Sequence, residues 1–249
     1  MFRKGAHERR ESSCYEASAL SIPLTIPHRF DFGADTAEVG DDLLRPEAWD
    51  SLRLRTSGPF TIAADREELE RQADGRPEIG ERMRAVDATL RERGVRTLVS
   101  YGAGGALPEL WLLRIDPGRT LTLTDYAPET VRRLRELLPE AQVCRHDLLR
   151  DSPLEGDLHL FHRIDTELDN RQWRGVFRRF VGRTILMVAS EVMPMREVPR
   201  QVRAALRSRH ATHAGWTRTR AAFESLWRRT HRGIPVSLVD LEGWVLDPR

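Results

Sequence analysis

Lysine is almost missing from this chain. Lys4 is the only one among 40 basic side chains; every other is arginine. So complete a replacement looks like base-composition bias in the gene and carries no function by itself. Cysteine is nearly as scarce, and Cys14 and Cys144 form no zinc-ligand spacing and need not pair. No apolar run approaches the ~20 residues of a membrane span. The charged stretch Met1–Arg10 lacks the apolar segment that follows it in a secretory signal. These absences predict a cytoplasmic protein with no membrane partner. Repeats and low-complexity tracts are lacking as well.

What is present suits one good core with a smaller appended segment: 249 residues, 40% apolar and 31% charged. The pI of about 8.8 invites thoughts of nucleic acid, yet the formal net charge is only +2. Arginines alternate with Asp and Glu along the helical stretches, so a mixed, solvated surface is expected rather than a phosphate-binding face.

Residues 1–60 give few periodic signals. Pro23, Pro27 and Gly33 exclude a long helix there, while Phe30, Phe32, Leu43, Leu44, Trp49 and Leu52 are too apolar for a free tail. An arm packed on the main domain and a lid over a substrate both fit. Asp65 with Glu68 has capping-box spacing. Gly75, Pro77 and Gly80 then interrupt, and Glu81–Arg93 reads as an amphipathic helix stopped by Gly94. From Arg96 strands and helices alternate. Strands are expected at Thr97–Tyr101, Thr120–Asp125, Gln142–Arg145, Asp157–His162 and Thr184–Ala189, with helices at Pro128–Leu138 and Asn170–Phe180. All but Gln142–Arg145 are near-continuous apolar runs, as a parallel sheet covered on both faces requires. Helices are expected again at Arg196–Ser208 and Thr217–Thr230. Val236–Asp240 and Trp244–Leu246 lie too close together for anything but an antiparallel hairpin. The domains expected are an arm or helical cap over 1–80 and an α/β domain over 81–249.

The chemistry gathers at the first of these strands. Leu98-Val99-Ser100-Tyr101 runs into Gly102-Ala103-Gly104-Gly105-Ala106, and the next strand ends on Asp125, 20 residues after Gly105. Glycines allow a sharp turn and close backbone approach to a ligand. The following helix offers unpaired N–H groups, and a carboxylate at the next strand tip can accept both hydroxyls of a ribose. This spacing points to a nucleoside-cofactor site. Tyr101 is a candidate to pack on the ligand, although an aromatic residue of a strand more often belongs to the core, and Tyr126 is a candidate to stack on a base.

Together these residues resemble the class I S-adenosylmethionine-dependent methyltransferases, over roughly Glu81–Arg249. The resemblance implies a Rossmann-like, open, mostly parallel seven-stranded sheet with helices on both faces and an antiparallel C-terminal hairpin. It implies S-adenosylmethionine as cofactor, with Gly102, Ala103 and Gly104 under its methionine part and Asp125 on the ribose. Asp147 in Arg145-His146-Asp147-Leu148 falls near the adenine, and Leu148 is a candidate wall for it. The fourth strand would end beside the transferred methyl group, at Phe161-His162-Arg163-Ile164-Asp165. Two positions depart from the family pattern. Ser100 stands where an acid is usual, with Asp157 or Glu109 as candidate substitutes, and Ala106 replaces the third glycine.

Methyl transfer from a sulfonium needs alignment at ~3–3.5 Å and exclusion of water, with a base only for a protonated nucleophile. The polar cluster His159–Glu167 supplies the catalytic candidates. His162 is read as a general base near neutral pKa that also borders the cofactor, and Asp165 or Glu167 as its orienter or a substrate-amine ligand. Arg163 is a clamp for a substrate anion, and His159 a hydrogen-bonded core residue. No metal signature fits this cluster. His210, His213 and Trp216 are possible substrate walls. By elimination, O- or N-methylation of a small molecule is expected. A modified-nucleoside or RNA substrate, a methyltransferase-like scaffold that has lost catalysis, and a nicotinamide-dependent oxidoreductase are the rivals. The sequence leaves oligomeric state open.

Overall fold

The structure is a computed structural model and describes residues 22–30, 45–55, 60–207 and 212–249. Seven strands form the central sheet: β2 (Thr97–Tyr101), β3 (Thr120–Asp125), β4 (Gln142–Arg145), β5 (Leu158–His162), β6 (Ile185–Val188), β8 (His231–Leu238) and β9 (Leu241–Pro248). Their order is β4-β3-β2-β5-β6-β9-β8. All neighbouring pairs are parallel except those of β9, which runs antiparallel to β6 and to β8. The sheet reverses its winding between β2 and β5, the place where open α/β sheets bind ligands beyond their carboxyl ends. The hairpin is longer than the sequence predicts, and its turn is Val239-Asp240, with Val239 at φ +63°.

Strand alternation divides the core between the two faces. Leu98, Leu121, Leu123, Leu158, Leu160, Leu186 and Val188 meet one helical layer. That layer holds α2 (Arg66–Asp74), α3 (Pro77–Glu92), α4 (Leu107–Ile115) and α5 (Pro128–Leu137). Val99, Tyr101, Phe161, Ile185 and Met187 face the other layer. There α6 (Asn170–Arg179) and α8 (Arg220–Trp227) contribute Trp173, Phe177, Phe223 and Trp227. Between them in the chain comes α7 (Val198–Arg207), entered through a 3-10 turn at Met195–Glu197.

Asp65 caps α2 as its spacing predicts, accepting the Glu68 N–H at 2.8 Å. Gly80, expected to interrupt, lies inside α3 instead. A Cβ there would sit 2.9 Å from the Trp111 ring, so the glycine admits α4 to close packing rather than ending the helix. The expected helix at Thr217–Thr230 also starts later. Residues Thr212–Arg218 form β7, which pairs antiparallel with β1 (Thr25–Phe30), and Thr219 caps α8. A Cβ on Gly215 would meet the Thr166 carbonyl at 2.1 Å, and Trp216 N–H donates to that carbonyl at 2.8 Å. The small sheet therefore buttresses the loop after β5. Ahead of α2 lies α1 (Pro46–Arg53), which packs on α5. Cys14, Phe32, Leu43, Leu44 and His210 lie outside the described residues, as does the side chain of His213.

Candidate active site

β2 delivers the chain to a tight turn. Gly102 has φ +68° and Gly104 φ +55°, a region that only glycine enters without strain. A Cβ on Gly102 would also stand 2.6 Å from Cγ2 of Ile164. Ala106, in the third glycine's position, takes φ +56° as the N-cap of α4, which costs an L-residue about 1–2 kcal/mol. The loop is tied to β3, since Ala103 N–H donates to the Thr124 carbonyl at 2.9 Å and Gly104 N–H to Asp125 Oδ2 at 3.2 Å.

Asp125 is where the strand reading puts it, at the tip of β3, yet its side chain has no exposed surface. Ala127 N–H donates to Oδ1 at 3.0 Å, and Arg53 Nη1 joins Gly104 on Oδ2 at 2.8 Å. Arg53 comes from α1. It donates also to Thr130 Oγ1 at 3.1 Å and lies 5.0 Å over the Trp49 ring. Its Nη2 is 3.2 Å from the place a Cβ on Gly104 would occupy. The guanidinium thus fills the space above the glycine loop and takes the lone pairs that a ribose diol needs. Asp50, one turn earlier, accepts from Thr130 N–H at 3.0 Å and Glu129 N–H at 3.3 Å. These are open donors of α5, whose own N-cap, Ala127, has no side-chain acceptor.

Beside this pair a cleft of about 340 Å³ opens at the carboxyl edge of the sheet, walled by Gly102, Tyr126, His146, Asp147, Leu148 and Glu167. Burial pushes the Tyr126 phenol up, and the nearby Glu167 and Asp125 carboxylates add to it. Burial likewise pushes Glu167 up to about 7, opposed by Arg53 and reinforced by Asp125 and Asp165. Behind the loop, Ser100 Oγ donates to Glu109 Oε1 at 2.6 Å, while Glu109 Oε2 is buried without a partner. Burial raises Glu109 to about 7. Asp157 accepts from the N–H groups of Arg96 and Thr97 at the start of β2, the end away from the loop. Of the two candidate substitutes for the missing acid, Glu109 contacts Ser100 and Asp157 lies at the opposite end of β2.

Several predicted residues lie elsewhere. The Tyr101 ring turns into the aromatic core, with its hydroxyl between His159 Nδ1 at 3.2 Å and Leu154 N–H at 3.3 Å. His162 shares strand parity with Leu158 and Leu160, so it faces the α3 layer and not the cleft. Burial, with Arg163 and Arg82 nearby, lowers it to about 3, far from the neutral value expected of a base. Arg163 is exposed on a turn at φ +59° and does not line the cleft. Asp165 is buried and occupied: its carboxylate accepts from Ser190 N–H at 2.7 Å, and its carbonyl from Trp173 Nε1 at 3.1 Å and from Arg218. His159 is the core residue expected, lowered to about 4 by burial. Gly102, Tyr126, Asp147 and Leu148 do line the cleft, Gly104 and Asp125 adjoin it, and the Ala103 side chain packs in the core beneath. The sequence reading missed Arg53 and His146. The Pro46 at the first position of α1 signals that helix, but no local pattern signals its partner.

No protein-family model and no curated protein matches this chain. Solved structures do. Human N-acetylserotonin methyltransferase, crystallised with S-adenosylmethionine, superposes with TM-score 0.56 at 15% identity over 72% of this chain and 54% of that one. The mitomycin 7-O-methyltransferase MmcR gives TM-score 0.54 at 17% identity, covering 87% and 76% of the two chains. TnmH gives 0.57 at 18%, covering 86% and 66%. This is the class I methyltransferase fold. The chain spans about half the length of the human enzyme, at 54%. Within the methyltransferase fold the strand order places the glycine loop, Asp125 and Asp147 at the ends of three adjacent strands, β2, β3 and β4.

Proposed function

We propose that the protein is an S-adenosylmethionine-dependent methyltransferase acting on oxygen or nitrogen of a small molecule. One observation carries the reading. The positive-φ glycine loop and Asp125 stand side by side beneath a cleft that Tyr126, Asp147 and Leu148 wall. The residues fit the cofactor at the loop, at the adenine wall and at Glu109, whose buried Oε2 has no hydrogen-bond partner. They fit it at the ribose only with Arg53 withdrawn from Asp125, because Arg53 Nη1 and Gly104 N–H both donate to Oδ2. The cofactor would supply an activated methyl group. The chain's part is then to align the acceptor and receive its proton. Glu167 suits the second task, since a carboxyl titrating at about 7 exchanges protons at neutral pH.

Calorimetric titration with S-adenosylmethionine, S-adenosylhomocysteine and NADPH in parallel tests this. Micromolar binding of the first two, lost in Asp125→Asn, is expected; binding of NADPH alone refutes it. A second reading, a binding protein on a retired methyltransferase fold, is favoured by the Arg53–Asp125 pair. It predicts no response to any of the three, even in Arg53→Ala.

A further inference from the structure

Arginines on α2, α3, α5 and α7 have acidic partners a turn away. Arg66 pairs with Glu70, Arg71 with Glu67, Arg91 with Asp87, Arg132 with Glu129 and Glu136, and Arg200 with Glu197. That is the mixed surface the composition predicts. In α6 no arginine has an acidic partner among the described residues; α7, which also contains no acidic residue, pairs Arg200 with Glu197 of the preceding turn and leaves Arg203 and Arg207 exposed. Arg171, Arg174 and Arg178 recur at three- and four-residue steps on the exposed face of α6, and that helix contains no acidic residue. Arg171 lies in the first turn, where the positive end of the helix disfavours a cation. Arg174 and Arg178 form a like-charged i,i+4 pair, which destabilises a helix by about 0.2–0.5 kcal/mol.

Across from them stand Arg228 and Arg229, just past the end of α8. Together the five arginines line a groove of about 400 Å³ with Ser225 and Thr230 in its wall. None of the five makes an ion pair with another described residue, and all are exposed. With a net charge of only +2 over the whole chain, this is segregated charge and not general basicity. Arg171 and Arg178 are about 10 Å apart along the helix axis, so the cations form a row, facing a second pair on the far bank. A row suits a chain of phosphates better than one compact anion. The groove lining holds no aromatic ring on which a base could stack. Gln172 lines the cleft and its chain neighbour Arg171 the groove, so α6 borders both.

We propose that the α6–α8 groove is a binding site for the phosphodiester backbone of RNA, read through charge and not through bases. It rests on the arginine arrangement alone and stands whether or not the cleft methylates anything.

The test is fluorescence anisotropy of the full chain with a labelled 20-nucleotide single-stranded RNA, from 50 to 300 mM salt. Three variants are compared with the native protein: Arg171→Gln/Arg174→Gln/Arg178→Gln, Arg228→Gln/Arg229→Gln, and the control Arg132→Gln/Arg200→Gln, whose arginines do not line the groove. Removing three contacts should weaken binding about 100-fold near 0.1 M salt and flatten the salt slope by about 2. The pair should flatten it by about 1.4, and the control should match the native protein. Glutamine keeps helix propensity, so the triple variant should melt no lower than the native protein. That outcome separates lost binding from lost structure. Equal weakening in the control, or no binding at 50 mM salt, overturns the proposal. So does equal competition by polyglutamate, which would make the groove a site for acidic protein. Competition by inorganic polyphosphate without RNA binding would assign the phosphate chemistry to another source and overturn it too.

Discussion

Replacing Arg53 by alanine removes one charge of a buried pair whose side chains are 8% and 0% exposed. Breaking such a pair by deleting one partner costs about 3–5 kcal/mol when the remaining charge is left bare. Asp125 is not left bare, because the Gly104 and Ala127 N–H groups still donate to it. The contacts of Arg53 with Thr130 and Trp49 are lost as well. A destabilisation of about 2–3 kcal/mol is therefore expected, read as a lower urea midpoint at an unchanged slope. The second effect has the opposite sign. If a ribose must displace the guanidinium from Oδ2, the native protein binds the nucleoside more weakly by the stability of that contact. At about 2 kcal/mol this is a factor of about 30. Arg53→Ala should thus bind S-adenosylmethionine or S-adenosylhomocysteine about 10- to 30-fold more tightly while being the less stable protein. Calorimetry and urea melts on the same preparation measure both. Lost stability with unchanged or weaker binding would refute the displacement argument and make Arg53 part of the binding surface.

Other expectations follow from the same geometry. Glu109, raised to about 7 in the fold against 4.5 unfolded, keeps its proton where the unfolded chain gives it up. Its contribution to stability therefore falls as pH rises from about 4.5 to 7, by an amount on the order of 3 kcal/mol. Glu109→Gln should abolish that slope in pH-dependent melts. His159 has the opposite sign: lowered to about 4, it stays neutral while the unfolded chain protonates below 6.5, so stability is lost as pH falls through that window. His159→Gln should flatten the acid limb, and an unchanged limb counts against it. Gly102→Ala combines positive-φ strain with a 2.6 Å approach to Ile164, together about 2–4 kcal/mol. Adding Ile164→Ala should relieve the clash only. Should a methyl acceptor be found, Glu167→Gln should lower turnover at neutral pH and remove a limb with midpoint near 7.

The sheet was legible because its strands announce themselves. Leu98-Val99, Leu121–Leu123, Leu158–Phe161 and Ile185–Val188 are covered on both faces, and continuous apolar runs are the trace of that burial. The glycine loop and Asp125 were legible because a turn and a strand tip follow directly from the strands. Which way a side chain points was less so. His162 and Phe161 are neighbours in sequence, and one step of pleat sends the first toward α3 and the second into the aromatic layer. The polar cluster after β5 was expected to act as a unit; the fold spends Asp165 on Ser190 and Trp173 and leaves Glu167 facing the cleft. β1 and β7 were illegible for a different reason. They complete each other across more than 190 residues of chain, between Thr25 and Arg218, and neither run has an alternating apolar pattern of its own.

Helix α1 is the part of the site that motif reading could not reach, and its attachment explains why it matters. Its apolar footing is small: Ala48 and Leu52 are buried, with Trp49 and Phe60 beside them. The rest of its hold is polar and comes from two residues one turn apart. Asp50 caps α5, and Arg53 closes on the acid at the end of β3. Both grips therefore land on the β3–α5 connection, which begins at Asp125, the residue proposed to accept the nucleoside. A weakly buried helix held by polar contacts is the kind of element that opens locally at low cost, whereas the glycine loop and β3 beneath it lie in the core. The proposed cofactor would meet Pro46, at the start of α1, in the cleft wall, and its contest with Arg53 for Asp125 Oδ2 would need no movement of the sheet.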